Sequence, residues 1–151
     1  MKTKQHALFF LLPVLSILSC NSSKKVAETP QLQPTGIVPE TFSYKDGDTT
    51  YVMQKYFLVL LKKGPNRNQS KEEAEEIQKN HMAHISWLHK NGKISLAGPM
   101  DKHENISGIL VFNTPTLREA DSLAKLDPAV KAGRLEVETI GWWAAKGSQL
   151  Q

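Results

Sequence analysis

His81-Met82-Ala83-His84-Ile85-Ser86-Trp87-Leu88-His89-Lys90-Asn91-Gly92-Lys93-Ile94-Ser95-Leu96-Ala97-Gly98-Pro99-Met100 decides the fold. Its first half has the spacing of an amphipathic helix. Going back from Leu88 by threes and fours meets Ile85 or His84, then His81, Ile77 and Ala74, a stripe that faces a core. Lys90-Asn91-Gly92 then stops the helix, with a late cation and a glycine that tolerates positive φ. Ile94 to Ala97 reads as a short strand, and Gly98-Pro99 as the turn that ends it. The odd feature is a histidine inside the core-facing stripe. An imidazole buried without a partner costs about 1–3 kcal/mol, so His81 is expected to have one. The plainest expectation is a core histidine satisfied by a neighbour.

Upstream, Tyr56-Phe57-Leu58-Val59-Leu60-Leu61 is apolar without alternation, as in a central strand covered on both faces. Lys62 to Asn68 is a polar loop. Ser70 is the expected N-cap, and Glu72, Glu73, Glu75 and Glu76 carry the charge that a helix N-terminus favours. Downstream, a loop from Gly98 to Ser107 leads into Gly108-Ile109-Leu110-Val111-Phe112, a second continuous apolar strand. Pro115, Thr116 and Glu119 open another helix, with Leu117, Ala120, Leu123 and Ala124 expected inward. Asp127-Pro128 to Gly133 reads as a short helical turn, with Asp as N-cap, Pro at the first position and Gly as terminator. Leu135, Val137 and Ile140, set among Glu136, Glu138 and Thr139, form an edge strand with one wet face. Trp142-Trp143 follows.

The order is therefore β-α-β-β-α-β, an α+β domain of ferredoxin-like type with strands one and three central. Two helices cover one face of such a sheet, yet the central strands read as apolar on both faces. A second copy of the chain is the simplest cover, so a homodimer is expected.

Outside the domain, residues 1–19 read as a signal peptide. Lys2 and Lys4 give a positive start, and Ala7 to Leu18 is an apolar run too short to span a bilayer. Ile17-Leu18-Ser19-Cys20 resembles the lipobox of bacterial lipoproteins. The resemblance implies cleavage before Cys20, diacylglycerol on its sulfur and acylation of its amino group, a combination that anchors stably to membrane. Residue 21 is Asn rather than Asp, so no inner-membrane retention is signalled. The expected address is the cell envelope, at the outer membrane in a Gram-negative cell. Residues 20–49, rich in Asn, Ser, Lys, Thr and Gln with Pro30, Pro34 and Pro39, read as a flexible tether. The domain is placed at 50–145 and a tail at 146–151. Cys20 is the one cysteine, so neither a disulfide framework nor a cysteine metal site is available. The formal charge is +4, and the two leader lysines account for half of it. No basic stripe interleaves with aromatics, so nucleic acid is not an expected partner.

A set of features in fixed order carries a family resemblance: His81 eleven positions before Gly92, then Gly98-Pro99, the Gly-led strand Gly108–Phe112, Asp127-Pro128 and Gly133. Across Lys55 to Trp143 the chain resembles the YCII-related family of the dimeric α/β-barrel superfamily. The resemblance implies a His–Asp pair in a cleft between helices and sheet, carried here by His81 and Asp127. It also implies proton transfer or elimination on a small cyclic or aromatic compound. The leader and tether depart from the bare domains of many relatives.

In such a pair the carboxylate holds one ring N–H and leaves the other nitrogen to act as acid or base. No Gly-x-Ser-x-Gly nucleophile occurs, and no cofactor is implied. Asp127 has a second explanation, since an N-cap role accounts for its context. His81 and His84, with His103, Asp101 or Glu104 approaching from the loop, are an alternative metal set. Tyr56, Met100, Trp87, Trp142 and Trp143 are candidates for an apolar pocket, for core or for a dimer interface. Two functions follow. One is a lipid-anchored acid/base enzyme of lyase or isomerase type with a small-molecule substrate. The other is a non-catalytic binding or structural module of the envelope.

Overall fold

The structure, a computed structural model, describes residues 38–150; the leader, Cys20 and most of the expected tether lie outside the described residues. Its elements are β1 (Thr41–Asp46), β2 (Thr49–Lys63), α1 (Lys71–Lys90), β3 (Ile94–Pro99), β4 (Ile106–Phe112), α2 (Leu117–Lys125), α3 (Pro128–Lys131) and β5 (Leu135–Ala145). From β2 onward this is the ferredoxin-like α+β order. β4 and β5 both pair antiparallel with β2, and β3 pairs antiparallel with β4. The first and third strands of that unit are thus central, as the continuous apolar runs require.

The expected helix signals act where the sequence puts them. The Ser70 side chain accepts from the Glu73 amide at 3.1 Å, and the Glu73 carboxylate accepts from the Ser70 amide at 2.8 Å, a reciprocal capping box. Thr116 caps α2 by accepting from the Glu119 amide. Lys90 ends α1, and Gly92 and Gly133, the two expected terminators, both have positive φ (+65° and +69°).

One face of the sheet and the helices enclose the core. Phe57, Val59 and Leu61 of β2 register with Phe112, Leu110 and Gly108 of β4, and the apolar ones pack with Leu88, Ile94, Ala120 and Ala124. The intervening Leu58 and Leu60 point the other way and register with Val111 and Ile109. Among the described residues no helix lies on that second face.

Four expectations change. Gly98-Pro99 does not end β3 in a turn but continues the strand, paired with Ile109 and Gly108 of β4. The folded part begins before residue 50: Thr41–Asp46 is a strand that pairs with Thr49–Gln54 across the two-residue connection Gly47-Asp48. Its polar composition resembles a linker, but Phe42 and Tyr44 alternate with Ser43 and Lys45. Phe42 packs edge-on against Trp143 at 4.9 Å. β5 holds one edge of β2 from Met53 to Lys63, so β1 lies on the other edge, in line with β4. Leu117 is exposed rather than inward, because the buried stripe of α2 starts a turn later at Ala120. Ile140 is 41% exposed and does not join Leu135 and Val137 at the core. A strand alternates by twos, so Thr139 takes the inward place and Ile140 falls beside Leu58 on the second face.

Candidate functional site

α1 carries His81 on its buried stripe, and the turn after α2 carries Asp127 at the start of α3. Packing these elements on one face of the sheet brings the two side chains together. His81 Nδ1 lies 2.7 Å from Asp127 Oδ2. The other carboxylate oxygen, Oδ1, accepts from the Ala129 amide at 2.8 Å. The cap and the partner of His81 are therefore the same residue. Asp127 is 1% exposed and His81 is 8% exposed.

This geometry sets the imidazole's tautomer. An ionised carboxylate only accepts, so the proton of a neutral ring sits on Nδ1 and the Nε2 lone pair is left free. Nε2 makes no hydrogen bond among the described residues. His81 lines a cavity of about 530 Å³ between α1, the β3–β4 ends and the turn after α3. Asp127 is not part of that lining and stands behind the ring. Ile77, Met82 and Ile85 of α1 supply apolar wall, and the Gly108–Leu110 stretch of β4 forms its floor. A small organic molecule in this space would meet one free imidazole nitrogen.

The rim of the cavity is held by backbone. The Gly64 amide donates to the Arg134 carbonyl at 2.9 Å, and the Asn66 amide donates to the Gly133 carbonyl at 3.0 Å. The Asn66 side chain adds a bond to the Ala132 carbonyl at 3.0 Å. The β2–α1 loop is thereby stapled to the α3–β5 turn. A Cβ on residue 64 would overlap the Gly133 carbonyl oxygen, so only glycine fits that approach.

Other sequence candidates have different places. A ring N–H of His84, on Nε2, donates to the Leu123 carbonyl at 3.0 Å and ties α1 to α2. His103 Nδ1 accepts from the amides of Asn105 and Ile106 (3.2 and 2.9 Å) and shapes its own loop. Among the described residues, no three His, Cys, Asp or Glu side chains gather as a metal site would need. None of Tyr56, Trp87, Met100, Trp142 and Trp143 lines the cavity. Tyr56 and Trp142 lie together on the sheet, with ring centroids 6.2 Å apart, and Trp87 stacks on His84.

Arg67 and Arg134 do line the cavity, and neither belongs to a sequence motif named above. A signal existed: the chain has only three arginines among its nineteen basic residues, and two of them flank the His81 and Asp127 segments.

The fold and site define a ferredoxin-like α+β domain with a buried His–Asp pair at the wall of a small cavity. Residues 56–144 match the YCII-related domain, which is more than half of the chain, and the chain belongs to the YCII-related family. The matched span agrees with the Lys55–Trp143 stretch that carries the resemblance. No curated protein matches the chain. Among solved structures it is similar to 5-chloro-2-hydroxyhydroquinone dehydrochlorinase from Burkholderia phenoliruptrix, in complex with 2,5-dihydroxybenzoquinone. That similarity is 24% identity at a TM-score of 0.39, covering 58% of this chain and 90% of the other.

Proposed function

We propose that this protein is an acid/base enzyme acting on a small organic molecule, with His81 as the base and Asp127 as its orienting partner. The observation that carries the proposal is the 2.7 Å contact between His81 Nδ1 and the Asp127 carboxylate, made beside a cavity that His81 itself lines. The ring's Nε2 takes a proton from a carbon or oxygen acid, and the buried carboxylate stabilises the imidazolium that forms. Elimination follows where the substrate has a leaving group next to the carbon that loses its proton. The test is deuterium incorporation from D₂O into a panel of cyclic ketones and hydroxylated rings, followed by NMR. His81→Asn removes the base while its amide can still donate to Asp127. Expected is exchange with the native chain and a fall of about 10²-fold or more in the variant, with the unfolding midpoint little changed. Exchange that persists in His81→Asn, or no exchange of any compound, overturns the proposal. Binding without conversion then favours the binding module, which uses the same cavity.

The address belongs to the same proposal. Lys2 and Lys4, the apolar run to Leu18 and Ser19-Cys20 support lipidation at Cys20 and anchorage in the cell envelope. Among the described residues, no helix is long and apolar enough to cross a membrane. Labelled palmitate incorporated by the native chain and lost in Cys20→Ala is the expected result; equal labelling would refute the anchor.

A homodimer completes it. By strand register Leu96, Val111, Leu58 and Ile140 form one row across the face that carries no helix, with Tyr56 and Trp142 beside it. That row is the support for a second copy packing there.

A further inference from the structure

We infer that the His81 cavity recognises an organic anion, a carboxylate on an apolar, ring-sized body, through Arg67 and Arg134. The inference takes the cavity as the ligand site, as the acid/base reading does, and adds the chemical class of the ligand.

Charge balance is the first observation. Arg67 and Arg134 both line the cavity, and no Asp, Glu or Lys is in its lining. Among the described residues, neither guanidinium pairs with a carboxylate; the ion pairs there use lysines and His81. No anionic side chain of the lining offsets these two charges, and a bound anion supplies the missing opposite charge.

Positioning is the second observation. Arg134 is held at both its amide, which donates to the Ala129 carbonyl at 2.9 Å, and its carbonyl, which accepts from the Gly64 amide. Its Nη1 donates to Gln69 Oε1 at 2.8 Å, and the Gln69 amide nitrogen lies 3.4 Å from the Ala132 carbonyl it donates to. Gln69 is neutral, so it orients the guanidinium without cancelling its charge. A guanidinium carries five N–H donors, and this contact occupies one of them. Arg67 belongs to the stapled β2–α1 loop, so the same bonds hold its segment at that rim. A planar fork matches a carboxylate with two parallel hydrogen bonds, which a lysine does not do. The remaining lining, with Ile77, Met82 and Ile85, suits an apolar body.

The experiment compares benzoate with benzamide, which has nearly the same shape and no charge, by calorimetric titration of the full chain. Arg67→Gln, Arg134→Gln, His81→Asn and Arg118→Gln are titrated alongside. Expected is a preference for benzoate of about tenfold or more. Each of Arg67→Gln and Arg134→Gln reduces it, His81→Asn keeps most of it, and Arg118→Gln, whose side chain is outside this cavity, leaves it unchanged. Equal affinity for the two compounds, no binding of either at its solubility limit, or a preference indifferent to both cavity arginines overturns the inference. The two proposals fail separately. Proton exchange that needs His81 without a carboxylate preference removes the anion site alone. An arginine-dependent preference without exchange removes the acid/base reading alone.

Discussion

Asp127 uses both carboxylate oxygens at once, Oδ1 on the Ala129 amide and Oδ2 on His81. Two substitutions separate these tasks. Asparagine still accepts at a helix start, but its amide nitrogen donates toward His81 and reverses the ring's tautomer. Asp127→Asn is therefore expected to keep stability within about 1 kcal/mol and to move the proton of His81 from Nδ1 to Nε2. Ring ¹⁵N shifts read that change directly; an unmoved proton would mean that the carboxylate does not set the tautomer. Asp127→Ala removes the cap and strands a buried imidazole. Urea unfolding should show a loss of about 2–4 kcal/mol, the sum of a cap and an unpaired buried polar group. A loss under about 1 kcal/mol would show that water replaces both contacts.

At the scale of elements, the staple between the β2–α1 loop and the α3–β5 turn matters most, because it holds the cavity rim. Gly64→Ala places a methyl group on the Gly133 carbonyl and forces those segments apart. Its expected cost is about 3 kcal/mol, whereas Gly98→Ala, with nothing within 4 Å of the added carbon, stays near zero. Equal denaturation midpoints for the two variants would disprove the close approach. The hairpin strand β1 is different in kind: all six of its residues are exposed. Ladder bonds and aromatic pairs hold it, so its amides should exchange with deuterium well before those of Phe57 to Leu61. Across β2 and β5, the hydrogen bond and the charge of Glu138 hold the Lys62 ammonium above its ordinary value of 10.5. A raised value stabilises the fold fully below pH 10.5, and the contribution fades as pH climbs through the folded-state value. In alkaline unfolding, the gap between the native chain and Lys62→Met should be constant near neutrality and close above that pH.

For the whole molecule, the second sheet face sets the association state. Leu58 and Val111 sit at its centre, with Leu96 and Ile140 at its sides. A chain that covers this row with its own copy sediments as a dimer at micromolar concentration. Ile140→Glu puts a charge in the row and should shift the species to monomer without unfolding it, since Ile140 is outside the core. A native chain that sediments as a monomer refutes the homodimer. The central strands were legible because a strand buried on one face and half-buried on the other reads as nearly continuous apolar sequence. The hairpin strand was not, because exposed strands carry polar residues, as linkers do. His81 stood out as a histidine in an apolar stripe. Arg67 and Arg134 did not, because their scarcity marks them without placing them, and only the stapled loop brings these two to one cavity.

Local sequence rules suffice for the order of elements from β2 onward, for their caps and for the burial of His81. Those rules are helical spacing, a side chain that satisfies a helix end, and a glycine that permits a turn. They also set the Asp-Pro start of α3. That this cap and the partner of His81 are one residue, 46 positions along the chain from the histidine, follows from tertiary packing alone. Local rules end at the turn, and that contact needs α1 and α3 packed on the same face of the sheet. The same holds for the cavity and its two arginines, which no spacing in the sequence brings together.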